Sequence, residues 1–260
     1  MKPAVVIDAC DHLHRMMNIL RRFASRVLHA SRSTERSDYK GTWQQLSSSE
    51  NNAKRFVSGT ADEEHFTTSG AATVEILRSF VAIQPTDVVL EIGCGVGRVG
   101  RALAPHCKTW IGTDISGNMV AHARRRLQDL PNVQVLELSG ASLKEVPDES
   151  VDVVYSTVVF MHLYEWDRCR YVYEAYRVLR PGGRIFYDNV DVASAHGKRM
   201  FDEALTVDPR HRPAYMSMTS SGDELEAYAR WAGFENISVH RWHDAWVAVS
   251  AVKASGPGVH

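Results

Sequence analysis

The stretch Leu90-Glu91-Ile92-Gly93-Cys94-Gly95-Val96-Gly97-Arg98-Val99-Gly100 decides how the rest of the chain is read. Residues 88–92 form an apolar run ending at Gly93, the pattern of a buried strand. Residues 96–104 follow as a helix. Gly95-x-Gly97-x-x-Gly100 has the spacing of a dinucleotide-binding loop, which alone does not fix a ligand. Glycines after a strand permit a tight turn and close approach of a ligand. The helix behind them aims free N–H groups at something polar. Glu91 and Gly93 extend the pattern backwards to E-x-G-x-G-x-G-x-x-G. A carboxylate at the strand end repels a pyrophosphate and suits a ligand carrying positive charge.

Downstream the alternation continues. Residues 110–114, 133–138, 151–156 and 184–190 read as strands, and 118–130 and 167–179 as helices, with Pro181-Gly182-Gly183 stopping the last. Upstream, Thr68 or Ser69 is expected to cap a helix with Val74, Leu77, Phe80 and Val81 on one face. Pattern is lost over 191–221 and returns as a helix over 223–233, capped by Ser221. Residues 237–240 and 246–253 read as a closing hairpin. Apolar strands alternating with amphipathic helices predict an α/β fold. The expected form is a doubly wound, Rossmann-like, mostly parallel seven-stranded sheet with an antiparallel closing hairpin strand and helices on both faces. Its ligand belongs at the carboxyl ends of the strands.

Several of these segments together resemble the class I S-adenosylmethionine-dependent methyltransferases, from about residue 39 to 253. Asp114 in Gly112-Thr113-Asp114-Ile115-Ser116 ends the second strand, where the family's acid grips both ribose hydroxyls. Asn118-Met119 follows, at the place where Met119 or a neighbour packs the adenine. Pro147-Asp148-Glu149-Ser150-Val151-Asp152, Val159-Phe160-Met161-His162-Leu163 and Glu174-x-x-Arg177-Val178-Leu179-Arg180-Pro181-Gly182-Gly183 agree in order and spacing. The resemblance implies a cofactor set of Glu91, Gly93, Gly95, Gly97, Asp114, Ile115, Met119, Ser142 and Leu143. It departs from the family in the loop after the third strand. Many relatives carry an Asp there for the adenine amino group, and Ser142 is the nearest equivalent. S-adenosylmethionine, with a sulfonium and an ammonium, meets the charge argument made for Glu91.

Methyl transfer is a displacement in which the protein aligns donor and acceptor. A hydroxyl acceptor also needs a base. His162, just after the fourth strand, is the candidate base, with pocket shaping as its alternative role. Asp188 is the second catalytic candidate. Asp188-Asn189 ends the fifth strand and is similar to the pair in magnesium-dependent catechol-type O-methyltransferases. Their third acid is replaced by Thr157, so no metal is expected. If magnesium binds, Asp188 and Asn189 are its ligands, with Asp191 or Glu165 completing the set.

Composition narrows the partners. The 260 residues carry 30 Lys and Arg against 31 Asp and Glu, a balance that disfavours nucleic acid. There is no Asn/Asp-Pro-Pro-Tyr/Phe sequence after the fourth strand. No apolar run approaches a bilayer span. Cys10, Cys94, Cys107 and Cys169 have no zinc spacing and read as reduced thiols of a cytoplasmic protein. Residues 1–37 are expected to be an N-terminal extension with an amphipathic helix over 12–28. Residues 38–253 form the domain, 191–221 a lid insertion opposite 43–66, and 254–260 a tail. The expected reaction is O-methylation of a small molecule, a sugar or a hydroxylated natural product. The alternatives are N-methylation of a small molecule, protein or tRNA, a catalytically inactive cofactor-binding protein, or an NAD(P) oxidoreductase.

Overall fold

A computed structural model of the chain describes residues 35–255. The expected helix over 12–28, Cys10 and residues 256–260 of the expected tail lie outside them. Three helices come first: α1 (Tyr39–Leu46), α2 (Glu50–Ser58) and α3 (Glu63–Phe80). Then β1 (Val88–Ile92), α4 (Arg98–Leu103), β2 (Thr109–Asp114), α5 (Gly117–Arg126), β3 (Val133–Glu137) and β4 (Val151–Ser156) alternate. After them come α6 (Glu165–Val178), β5 (Leu179–Asp191), α7 (Ala195–Leu205), β6 (Thr219–Ser220), α8 (Gly222–Ala232), β7 (Phe234–Trp242) and β8 (Trp246–Lys253).

The main path of the sheet runs β3-β2-β1-β4-β5-β8-β7, and the two-residue β6 pairs with β5 beside it. All pairings are parallel except those of β8, which is antiparallel to β5 and β7. The seven-stranded, doubly wound expectation is therefore met, with β6 as an addition. The chain winds from β1 outwards to β3 and then returns to place β4 on the other side of β1. This reversal opens a crevice at the carboxyl ends of β1 and β4.

Period-two alternation explains why continuous apolar strands suit this sheet. Leu90, Val154, Ile185 and Tyr187 face one core with α6 and α8. Val89, Val153, Tyr155 and Phe186 face the other with α3, α4 and Trp110. Each side chain of this kind contributes roughly 1.5–3 kcal/mol by leaving water. Gly100 packs so closely beneath Trp110 that a Cβ there would overlap the indole.

Three local expectations are corrected. Helix α3 starts at Glu63, with its cap six residues before Thr68, because Asp62 accepts the His65 N–H at 2.8 Å. The Thr68 and Ser69 hydroxyls turn back onto the carbonyls of Glu64 and Phe66 instead. Pro181-Gly182-Gly183 does not stop α6. The helix ends at Val178, and β5 begins at Leu179 and bulges through that tripeptide, so that Val151 and Val153 pair with Leu179 and Arg184. The patternless stretch 191–221 contains α7, capped by the Ser194 hydroxyl on the Gly197 N–H. Among the described residues no helix is long and apolar enough to cross a membrane.

Candidate functional site

The loop after β1 is built on left-handed backbone, with φ of 72°, 54° and 78° at Gly93, Gly95 and Gly97. An L side chain strains such geometry by roughly 1–2 kcal/mol. At Gly95 a Cβ would also come within 2.7 Å of Val57. The loop is fastened to β2 by the Cys94 N–H on the Thr113 carbonyl (2.8 Å) and the Gly95 N–H on Asp114 Oδ2 (2.9 Å). Asp114 Oδ1 accepts the Ser116 N–H at 2.9 Å. Each of its oxygens keeps a further acceptor position for a ligand hydroxyl.

Above the loop lies a cavity of about 880 Å³, counting its mouth. Glu91, Gly93, Gly95, Asp114, Ile115, Met119 and His162 all line it. Gly97 caps the amino end of α4. Ser142 and Leu143 are not among the lining residues. Leu143 is buried with its N–H on Glu174 Oε2 (2.8 Å), and the Ser142 N–H turns onto the Gly140 carbonyl (2.8 Å). Leu138, just past the end of β3, stands in the wall on that side.

The floor is acidic and buried. Glu91 accepts the Tyr155 hydroxyl at 2.5 Å, and Tyr155 in turn accepts the Trp110 indole N–H at 3.0 Å. Burial pushes the Glu91 carboxyl up to about 7, against the pull of Tyr155 and Arg98. Burial also raises Asp114 to about 6, opposed by its backbone hydrogen bonds. Among the described residues that line the cavity, the buried Arg98 is the one guanidinium, and it acts on Glu91.

His162 ends a 3₁₀ turn, Phe160–His162, after β4. Its Nδ1 lies 3.2 Å from the Tyr215 carbonyl, which can only accept, so the N–H belongs on Nδ1 and the lone pair on Nε2. Burial lowers its pKa to about 4, which keeps the ring neutral. Trp43 meets it edge-on, with ring centroids 4.9 Å apart. Val158, two residues before that turn, adopts φ 64°, an unfavourable geometry for a β-branched residue. Its N–H is held by Asp188 Oδ1 at 2.7 Å.

Asp188 lies outside the main cavity and borders a smaller one with Arg98, Thr157, Trp242 and Trp246. Burial raises its pKa to about 7. Asn189 points to the opposite face of β5, where its amide donates to Ser220 Oγ at 2.8 Å. As they stand, the two side chains are turned to different partners, Asp188 to the Val158 N–H and Asn189 to Ser220. Asp191 is engaged by Arg241 at 3.0 Å.

The roof comes from the first helices. Tyr39, Trp43, Phe56 and Val57 line the cavity, whereas no residue of 191–221 does. Tyr39 Oη donates to Asp167 Oδ2 (2.8 Å) and accepts the Tyr164 N–H (3.0 Å). Ser47 Oγ meets Ser116 Oγ at 2.9 Å, and the Gln44 carbonyl accepts the Asn118 amide at 2.9 Å. The insertion reaches the rim through the Tyr215 carbonyl on His162, the Tyr215 ring against Phe56 and the Met218 N–H on the Met161 carbonyl. Tyr39, Arg98, Tyr155 and Tyr171 escaped the sequence reading. Only Arg98, adjoining the glycines, carried a signal there.

Comparison with known proteins agrees with this geometry. A family profile described as a methyltransferase domain matches residues 90–187. A probable S-adenosylmethionine-dependent methyltransferase of Mycolicibacterium smegmatis is 43% identical over 95 residues, 36% of this chain and 35% of that protein. An arsenite methyltransferase of Halobacterium salinarum is 32% identical over 168 residues, 62% of this chain and 41% of that protein. The chain thus spans less than half the length of these curated relatives. Among solved structures, phosphoethanolamine N-methyltransferase 2 of Haemonchus contortus, in complex with phosphomonomethylethanolamine and S-adenosylhomocysteine, superposes with a TM-score of 0.64. It shares 18% identity, over 85% of this chain and 60% of that one. Loop, fold and family profile together identify residues 90–187 as a methyltransferase domain of the class I S-adenosylmethionine-dependent kind.

Proposed function

We propose that the protein binds S-adenosylmethionine in this cavity and methylates a hydroxyl of a small molecule enclosed beside it. The observation that carries the reading is the pairing of two buried, cation-hungry carboxylates at the glycine loop with a neutral imidazole further along the same cavity. The cofactor would supply an electrophilic methyl on a sulfonium. Glu91 and Asp114 provide negative charge for a cationic ligand, and Asp114 also has acceptor positions for ribose hydroxyls. Met119 and Ile115 offer apolar surface for the adenine, with Leu138 opposite. Ser142 and Leu143 would take part only through a shift of their loop towards the cavity. As the acceptor oxygen bonds to the methyl carbon, the carbon–sulfur bond breaks and sulfur keeps the pair, leaving S-adenosylhomocysteine. The acceptor proton passes to His162 Nε2. Because that base is weak, alignment by Trp43, Tyr39 and the loop contributes more than proton transfer.

Asp188 acts on this site through Val158 rather than by touching the acceptor. Residues 191–221 close the rim, where Tyr215 sets the His162 tautomer. Cys94, Cys107 and Cys169 are unpaired thiols, which suits a reducing, cytoplasmic setting. Methylation of nitrogen is the second reading. It is favoured by the fold shared with phosphoethanolamine N-methyltransferase 2 and by an aromatic, acid-floored cavity that also suits an amine.

His162→Ala distinguishes the two. For a hydroxyl acceptor we expect turnover to fall by about 10²–10⁴-fold with S-adenosylhomocysteine affinity unchanged, and high pH to restore part of it. Turnover at the wild-type rate removes His162 from the mechanism and leaves an amine, delivered as its free base, as the better acceptor. Failure of S-adenosylhomocysteine to bind in calorimetry overturns the whole reading.

A further inference from the structure

The arginines of this chain differ in how their charge is met. Arg168 is buried and pairs with Glu224 at 3.1 Å, besides donating to the Phe160 carbonyl and to Ser220 Oγ. Arg101, on the same helix as Arg98, pairs with Asp129. Arg98 is 6% exposed and lines both the main cavity and the smaller one beside Asp188. Its Nη1 donates to the neutral Thr73 Oγ1 at 3.1 Å, and its Nε is buried without a hydrogen-bond partner. Arg126 and Arg184 also leave Nε without a partner, but each pairs through another nitrogen with an acid, Glu63 and Asp87. Arg36 shares the orphaned Nε but stands outside the cavity lining, on the Met216 carbonyl. No carboxylate among the described residues bonds to Arg98. Glu91 and Asp188 act on it across space, while Glu91 Oε2 takes the Tyr155 hydroxyl and Asp188 Oδ1 the Val158 N–H. Burial works against the guanidinium charge, and the unmade hydrogen bond adds to the cost. A ligand that brings an anionic acceptor to this wall relieves both.

Resting on the methyltransferase reading, we propose that Arg98 binds the α-carboxylate of the cofactor and makes the protein select cofactors that carry one. An α-amino-acid head group bears an ammonium and a carboxylate on one carbon. The glycine-loop end of the cavity presents a counter-charge for each, Glu91 for the ammonium and Arg98 for the carboxylate. Glu91 lies in β1 and Arg98 opens α4, so the glycine loop between them sets their separation. The Thr73 hydroxyl, on α3, occupies one guanidinium nitrogen and leaves the orphaned Nε for the ligand. Without Arg98, a carboxylate here would meet only Glu91 and Asp114, and like charge repels it. The acids alone favour a nucleoside whose amine has no carboxylate beside it; Arg98 reverses that order.

The test is calorimetry on the full chain with three nucleosides. They are S-adenosylhomocysteine, its decarboxylated analogue S-adenosyl-3-thiopropylamine, and 5′-deoxy-5′-methylthioadenosine, which lacks the amino-acid head altogether. We expect the wild type to prefer S-adenosylhomocysteine over the decarboxylated analogue by about 100-fold. In Arg98→Met that preference should vanish or reverse. Methylthioadenosine should bind this variant within about threefold of the wild type, which shows the adenosine pocket intact. Arg98→Lys keeps the charge without the planar fork, and its preference should fall by about tenfold. The proposal is overturned if the wild type binds the decarboxylated analogue as tightly as S-adenosylhomocysteine, or if the preference survives in Arg98→Met. Should Arg98→Met bind none of the three, Arg98→Lys decides, and an unchanged preference there overturns the proposal. If the wild type does not bind S-adenosylhomocysteine, the proposed function fails, a result distinct from any change in preference.

Discussion

The glycine-loop end of the cavity and the His162 end are built in different ways. The loop, Glu91 and Asp114 come from two adjacent parallel strands and the turn between β1 and α4, held by main-chain bonds such as Gly95 N–H to Asp114. The His162 end gathers Tyr39, Trp43, His162, Tyr171 and the Tyr215 carbonyl from segments far apart in the chain. The first end is acidic and buried; the second is aromatic, with Arg36 and Arg168 near His162. An end fixed by main-chain bonds and an end assembled from distant segments can vary independently, so one fold can keep its glycine loop while its second end changes.

Breaking the fixed end should have the largest effect. Asp114→Ala removes the Gly95 anchor and the proposed ribose acceptor together, and we expect S-adenosylhomocysteine affinity to fall at least about 100-fold in calorimetry, one to three kcal/mol for each lost charged hydrogen bond. Affinity within about threefold of wild type would show that the loop holds itself and that Asp114 carries no ligand.

Protonation should weaken the same end less severely. Glu91 and Asp114 titrate near 7 and 6 in the folded protein, above ordinary carboxylates. A cationic ligand binds their ionised forms, so it must displace protons at acid pH. We expect binding about tenfold weaker at pH 6 than at pH 8. The raised values act oppositely on the empty protein. The folded state holds protons that the unfolded state has released, so stability should decline as pH rises from about 4 to 7. Affinity independent of pH over 6–8 would mean that the carboxylates are already ionised or are not used.

The smallest change sharpens the assembled end. Tyr39→Phe removes the hydroxyl that joins α1 to Asp167 and to the Tyr164 N–H. Thermal unfolding should show a loss of about 1 kcal/mol. Acceptor KM should rise severalfold with cofactor affinity untouched. A cofactor defect in this variant would mean that α1 serves both ends and that the contrast between them is overdrawn.

Particular residues show where sequence reading stopped. Tyr155 sits in an apolar strand and reads as core, yet its hydroxyl bonds to Glu91, because β1 and β4 are paired in register at that level. Asp188 and Asn189 look like a pair in sequence and point to opposite faces in the sheet, since successive strand residues alternate. Ser142 stands nearest in sequence to the position of an acid that this chain lacks, and its N–H turns onto the Gly140 carbonyl. Asp62 was passed over as a cap because the hydrophobic periodicity of α3 begins well after its first turn.

The sequence alone determined the parallel sheet, the glycine loop, Asp114 at the end of β2 and His162 after β4. Each is written in a short contiguous stretch, where local periodicity and backbone freedom decide the outcome. Tertiary structure decided the rest: that Tyr39 and Trp43 roof the cavity, that Tyr215 meets His162 Nδ1, and that Asp188 holds the Val158 N–H beside a smaller cavity. Those contacts join residues 30 to 128 positions apart. Local propensity says nothing about them, because only the packing of the whole sheet brings them within reach.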